Sequence, residues 1–186
     1  MFHITDIEYD LTAVREALEA VKPLFDRHGQ IGVTSRPGAA KPIYDAVGWL
    51  SEGVKESDYS VVNEEFRGTA IEGLLESLPF RYGRTRLMKL GPKSCLSVHI
   101  DPTPRYHFAI ITNPDCYLIA IDESVGTFYH IPADGRLYRM EAYKTHTAIN
   151  TSTKERYHLV ICAVDDEHLY EDVPIGRVTV AGAPTA

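Results

Sequence analysis

Ser97-Val98-His99-Ile100-Asp101 sets an imidazole and a carboxylate two residues apart in a segment whose composition suits an extended strand. Alternate side chains of a strand share a face, so His99 and Asp101 are expected to point one way and Val98 and Ile100 the other, into an apolar wall. Further along, Thr145-His146-Thr147 offers a second imidazole, and Arg156 follows it by ten residues. Two imidazoles and one carboxylate on one face hold a ferrous ion and leave coordination positions for a bidentate organic acid and dioxygen. A closed tetrahedral zinc site asks for a fourth protein ligand or several thiolates, and the sequence points to neither. Arg156, set deeper, presents a planar fork suited to the far carboxylate of such an acid. Taken alone, a His-x-Asp pair is as readily a solvated strand face or a cross-strand ion pair. The surrounding elements decide its meaning.

Those elements begin after Arg84. Short apolar runs predict strands at Thr85–Leu90, Cys95–Asp101, Arg105–Thr112, Tyr117–Ile121, Thr127–Ile131, Leu137–Tyr143, His146–Asn150 and Arg156–Val164. Turn residues separate them, among them Gly91-Pro92, Asn113-Pro114-Asp115 and Ala133-Asp134-Gly135. Eight short strands at this spacing imply a mainly β fold with flanking helices, a double-stranded β-helix of jelly-roll or cupin type closed into a barrel. The strands between Asp101 and His146 are enough to bring the chain back beside its starting strand.

Upstream, Leu11, Val14, Leu18, Val21 and Phe25 fall at helical spacing and predict a helix over 10–28. Asp10 caps its start, Gly29 follows its end, and Pro23 is expected to kink or shorten it. Gln30–Thr34 reads as a short strand and Ser35–Pro42 as a loop. Tyr44–Leu50, around the only tryptophan, Trp49, reads as a helical turn or lid. Ile71, Leu74, Leu75 and Leu78 predict a helix over 69–78 that Pro79 ends. Residues 1–186 thus read as one domain, with helical and loop support over 1–83, a barrel core over 84–164 and a tail over 165–186. Gly176–Ala186 is small and polar and is expected to fray.

Composition excludes several function classes. The net charge is −7, so the chain lacks the basic footprint of a nucleic-acid binder. Cys95, Cys116 and Cys162 include no CxxC pair, and the latter two lie in apolar runs where a thiol acts as a small core hydrophobe. Met1–Asp6 has neither the basic nor the apolar stretch of a secretion signal, and no apolar run reaches membrane length. The expectation is a cytoplasmic chain with free thiols and neither a nucleic-acid nor a membrane partner.

From Arg86 to Val164 the sequence resembles the 2-oxoglutarate- and Fe(II)-dependent oxygenases, specifically the aspartyl/asparaginyl β-hydroxylase-like group. The matching text is His99-Ile100-Asp101, Arg105-Tyr106-His107 before an apolar strand, His146-Thr147-Ala148-Ile149-Asn150, and Arg156-Tyr157-His158-Leu159-Val160. The resemblance implies iron ligands at His99, Asp101 and His146, and an Arg156 that grips the 5-carboxylate of 2-oxoglutarate. It further implies a co-substrate pocket lined by Arg105 and His107. Some members named for the group keep only the two histidines; Asp101 gives this chain the full triad. The implied activity consumes dioxygen and 2-oxoglutarate, with ascorbate assisting, releases succinate and CO2, and hydroxylates an amino acid or a protein or peptide side chain.

Other readings stand beside this one. Arg105 is otherwise a surface charge, and His107 and His158 are otherwise core histidines with satisfied nitrogens. Asn150 shares the His146 face and is expected to support it from behind. His130 rivals His146 as third ligand, but Met140 stands where its arginine is needed, so it reads as a strand-end or pocket-edge residue. A non-catalytic cupin-like module that binds metal or a small acid is the alternative function, and an isomerase or metal-dependent hydrolase on the same barrel is a third.

Overall fold

The structure, a computed structural model, describes residues 1–25, 28–123 and 125–165, and the backbone of 177–181. In chain order β1 (Phe2–Glu8) leads into α1 (Leu11–Val21), then β2 (Gln30–Gly32), β3 (Thr34–Ser35), α2 (Pro42–Asp45), β4 (Val61–Val62) and α3 (Ala70–Glu76). There follow β5 (Tyr82–Leu90), β6 (Ser94–Cys95), β7 (Arg105–Ile111), β8 (Cys116–Asp122), β9 (Val125–Tyr129), β10 (Arg136–Met140), β11 (His146–Asn150), β12 (Arg156–Ala163) and β13 (Arg177–Ala181).

The strands make a six-stranded sheet, ordered β1-β10-β7-β12-β5-β2, and a five-stranded sheet, ordered β13-β9-β8-β11-β6. A small pair, β3-β4, stands apart from both. From β5 onward the chain alternates between the two large sheets, crossing after β5, β6, β7, β9, β10, β11 and β12, with only the β8–β9 hairpin staying within one. That path is the double-stranded β-helix anticipated from the turn residues, and all the large-sheet pairings are antiparallel.

Strand alternation divides the apolar residues between two cores. Tyr106, Phe108 and Ile110 on β7 and Leu159 and Ile161 on β12 face outward into a cluster with Val14 and Leu18 of α1 and Leu74 and Leu75 of α3. The flanking helices therefore cover the outer face of the larger sheet. Between the sheets lies a second cluster, including Ala109, Leu118, Tyr138, Met140 and Ala148. Here the opposite parity of β7 and β12 brings Arg105, His107, Arg156 and His158 inward, all buried. An interior that admits so many polar groups is built for more than packing.

Local signals account for the helices. Asp10 caps α1, its Oδ1 accepting from Thr12 N at 2.8 Å and Ala13 N at 3.2 Å. Pro23 sits in a 3-10 turn, Lys22–Leu24, that ends the helix, and residues 26 and 27 of the expected helix lie outside the described residues. Thr69 caps α3 through Ile71 N.

Three expectations are corrected. Met1–Asp6 carried no expected element, yet β1 is an edge strand paired with β10. Cys95–Asp101 is a regular strand only at Ser94–Cys95, and the remainder touches the sheet through an isolated bridge between His99 and His146. Because this segment is the edge of the smaller sheet, Val98 and Ile100 are 58% and 61% exposed instead of lining an apolar wall. Within the tail expected to fray, Arg177–Ala181 forms β13 against β9, while Gly176 and residues 182–186 lie outside the described residues. Among the described residues no helix is long and apolar enough to cross a membrane.

Candidate functional site

His99 and His146, forty-seven residues apart in sequence, meet as a mutually hydrogen-bonded antiparallel pair. His99 N donates to His146 O at 3.0 Å and His146 N to His99 O at 2.9 Å, which brings the ring centroids to 4.3 Å. Asp101 is held next to them by its own N–H, which donates to Ala142 O at 2.8 Å. The ligand atoms of His99, Asp101 and His146 all fall within 4.8 Å of one another.

Each ring is oriented by its neighbour's backbone. His99 Nδ1 lies 2.7 Å from Ser97 O and His146 Nδ1 2.8 Å from Lys144 O. A carbonyl can only accept, so each Nδ1 is the donor, which leaves Nε2 as the nitrogen turned toward a metal. Both Nε2 atoms face Asp101 Oδ2, at 3.9 Å and 3.7 Å. The three donors are close enough to share one cation and too far apart to hydrogen-bond one another. Burial holds His146 below the ordinary histidine pKa, against a smaller upward pull from its bond to Lys144 O, so at neutral pH the ring is unprotonated and able to bind metal.

Arg105, on β7, fixes the carboxylate. Its Nη2 lies 2.9 Å from Asp101 Oδ1, which leaves Oδ2 for the histidines. The same guanidinium grips Glu56 with both branches, Nη1 to Oε2 at 2.9 Å and Nη2 to Oε1 at 2.5 Å. Thr103 also bonds Glu56. Gly83 on β5 lets the Glu56 segment come this near, since a Cβ there would stand 2.4 Å from Glu56 O. Glu56→Ala would leave Arg105 buried with Asp101 as its sole carboxylate. A urea titration is expected to show a loss of about 3 kcal/mol, the lower end for a broken buried pair, with a smaller loss in Glu56→Gln.

The triad opens into a cavity of about 190 Å³ between the sheets, lined in part by Leu118, Met140, Ala148 and Val160. Arg156 reaches it from the start of β12 and is 2% exposed. Burial pulls its pKa down to about 10, and among the described residues no carboxylate pairs with it. Its Nε has no hydrogen-bond partner. His107 lines the same cavity, with His158 Nδ1 3.5 Å from its Nδ1. Burial first, and the Arg156 charge second, hold both rings well below the ordinary histidine pKa, so they are neutral at pH 7.

The family model described as aspartyl/asparaginyl beta-hydroxylase matches residues 4–165. The chain belongs to that family. The match extends well upstream of Arg86, where the resemblance read from the motifs began, and takes in most of β1 and all of α1 to α3. Among solved structures the chain is similar to AviO1 from Streptomyces viridochromogenes Tue57, at 12% identity and a TM-score of 0.50, over 93% of this chain and 92% of that one. At that identity the likeness speaks for the fold. It is also similar to an oxidoreductase of the 2OG-Fe(II) oxygenase family from Burkholderia pseudomallei, at 13% identity and a TM-score of 0.39. That alignment covers 53% of each chain, so this chain spans about half the length of that structure. No curated protein sequence matches the chain.

In this β-hydroxylase fold all six residues singled out from the sequence, His99, Asp101, Arg105, His107, His146 and Arg156, line one cavity. Two others stand off it. Asn150 donates to Leu90 O, Gly91 O and Lys154 O at 2.7–3.1 Å, so it organises the turn that delivers Arg156 instead of backing His146. His130 follows β9 and bonds Cys116 O through Nδ1 at 3.0 Å. Four cavity or cavity-supporting groups carried no assignment: Glu56, Arg84, Arg86 and Trp49. Arg84-x-Arg86-x-Met88 could have been read as two arginines on one strand face, opposite the apolar Leu87. Glu56 and Trp49 come from irregular segments, and no periodicity marks them.

Proposed function

We propose that this chain is a hydroxylase, an Fe(II)- and 2-oxoglutarate-dependent dioxygenase. The observation that carries the reading is one cavity with two unlike ends: three convergent metal donors at its mouth and, at its depth, the Arg156 guanidinium, which no carboxylate pairs among the described residues. The donor set fits ferrous iron, because two imidazole Nε2 atoms and one carboxylate oxygen form a hard-to-intermediate face with open positions. His99, Asp101 and His146 would hold the ion. When bound, ferrous iron supplies the dioxygen activation that couples oxidative decarboxylation of 2-oxoglutarate, giving succinate and CO2, to hydroxylation of a second substrate.

The remaining work belongs to the chain itself. Arg156 holds the far carboxylate by paired charge-assisted hydrogen bonds, relieving its own uncompensated burial. Arg105 keeps Asp101 oriented, and Glu56 keeps Arg105 compensated. His107, neutral and beside Arg156, offers the co-substrate a hydrogen bond. Leu118, Met140, Ala148 and Val160 make a dry wall that strengthens each of these polar contacts.

The test is succinate formation. Aerobic incubation of the iron-loaded protein with 2-oxoglutarate and ascorbate is expected to yield succinate slowly without added substrate, and none when iron is omitted. One iron bound per chain with no succinate formed would favour a metal-binding module over this oxygenase.

A further inference from the structure

We propose that His158 is a positioning residue for the co-substrate: its Nδ1–H fixes the ring of His107 in the tautomer that donates from Nε2 into the cavity. The inference rests on the oxygenase reading above and adds to it the residue that makes His107 a donor.

His107 on β7 and His158 on β12 lie on adjoining strands, both buried. Val160 stands opposite His107, so His158, two residues earlier on the same face of β12, is the diagonal neighbour of His107. The ring centroids are 5.7 Å apart and the ring planes stand at 76°. The two Nδ1 atoms face one another at 3.5 Å, the long end of hydrogen bonding. Hydrogen bonds of catalytic sites are often long before the ligand is in place and tighten with it. With Nδ1 turned to His158, Nε2 is the nitrogen that His107 keeps for the cavity it lines.

Both rings are neutral, held there by burial first and the Arg156 charge second. A neutral imidazole has one N–H, so a bond between two Nδ1 atoms admits two arrangements. In the first, His158 Nδ1–H donates, His107 carries its proton on Nε2, and His158 Nε2 is a bare acceptor. In the second, His107 Nδ1–H donates, His107 Nε2 turns a lone pair to the cavity, and His158 keeps an Nε2–H. A carboxylate held by Arg156 accepts from an Nε2–H and is repelled by a lone pair. His158 Nε2 is buried without a partner, so the second arrangement also strands an N–H in the interior. The first leaves an acceptor there, two residues along one face from Arg156 Nε–H, itself a donor without a partner.

The metal ligands show why a second ring is needed. His99 and His146 have their Nδ1 protons set by Ser97 O and Lys144 O, which can only accept. A carbonyl in place of His158 would put the His107 proton on Nδ1, the wrong nitrogen for a carboxylate. The partner of His107 has to donate, and a neutral histidine does so without adding a further buried cation beside Arg156.

The first measurement is the long-range proton–nitrogen correlation spectrum of protein labelled with nitrogen-15 histidine at neutral pH, where a bare ring nitrogen resonates far from a protonated one. Spectra are taken of the metal-free protein and of protein loaded with 2-oxoglutarate and zinc(II), a diamagnetic stand-in for iron. Single substitutions assign the signals. In both states His158 is expected to carry its proton on Nδ1 and His107 on Nε2. The second measurement is calorimetric titration of 2-oxoglutarate into manganese(II)-loaded protein. His158→Leu is expected to bind it about 10-fold more weakly, the lower end for a hydrogen bond to a charged group. His158→Asn, whose amide nitrogen can donate from near the place of Nδ1, is expected to recover most of that loss. In turnover the loss in His158→Leu falls on the Michaelis constant for 2-oxoglutarate and not on kcat. A proton on His107 Nδ1, a bare His158 Nδ1, unchanged affinity in His158→Leu, or a loss in His158→Asn as large as in His158→Leu would overturn the proposal. The spectrum of the unaltered protein needs no variant to fold. Failure of 2-oxoglutarate to bind the unaltered protein would instead count against the oxygenase reading, while the ring protons of the metal-free protein still decide the role of His158.

Discussion

His146→Ala is expected to abolish both iron binding and succinate formation. The ring is 5% exposed and its Nδ1 is committed to Lys144 O, and among the described residues His99, Asp101 and His146 form the group able to hold an ion. Removing even an outer partner of a metal ligand costs roughly 10–100-fold in affinity, and removing one of three protein ligands costs more. Equilibrium dialysis against ferrous iron under argon measures the first effect directly. Asp101→Ala is expected to match it in turnover and to add a second consequence, because Arg105 then keeps Glu56 but loses its bond to Oδ1. Iron retained at one per chain in His146→Ala would mean that the ion sits elsewhere.

Arg156 carries the second large effect. Two charge-assisted hydrogen bonds of about 1.5–3 kcal/mol each make the Michaelis constant for 2-oxoglutarate rise on the order of 10²–10⁴-fold in Arg156→Ala. Arg156→Lys keeps the charge but loses the fork, and is expected to recover only part of the loss. The opposite sign is expected for folding. The folded-state pKa of about 10 lies below the ordinary arginine value, so holding the charged form inside the fold costs stability throughout the neutral range. Arg156→Met should therefore unfold at a higher urea concentration than the unaltered protein when both are free of ligand. A residue that weakens the empty fold and is needed for the co-substrate is the signature of a site maintained for binding.

Much of this was legible before any coordinates. Gly91-Pro92, Asn113-Pro114 and Asp134-Gly135 punctuate the apolar runs so regularly that the strands from β5 to β12 could be placed, most to within two residues, with the stretch after Cys95 the exception. The alternation of β7 and β12 was visible too, in Arg105-Tyr106-His107 and Arg156-Tyr157-His158, where every second residue is polar. That parity is what turns Arg105, His107 and Arg156 into one cavity.

What was hidden depended on partners distant in sequence. Val98 and Ile100 look like core residues by type, and only the knowledge that their segment ends a sheet leaves them exposed. β1 is an edge strand whose pairing with β10 joins residues well over a hundred positions apart, beyond the reach of local pattern. Glu56 is one acid among many until Gly83 lets its backbone approach and Arg105 closes on it. Asn150 sits on the right face of β11 for the triad, yet the carbonyls of Leu90, Gly91 and Lys154 capture its amide first. Propensity and spacing fix which face a side chain takes, and burial energetics decide what it meets there.

The claim on which the rest depends is that iron and 2-oxoglutarate meet at His99, Asp101 and His146. Anaerobic addition of 2-oxoglutarate to the ferrous-loaded protein tests it most directly, because chelation of the metal by a 2-oxo acid produces a visible charge-transfer absorption. The expected result is a band that saturates at one 2-oxoglutarate per chain and is lost in His99→Ala. A band of unchanged intensity in His99→Ala, or no band in the unaltered protein with iron bound, would contradict the assignment.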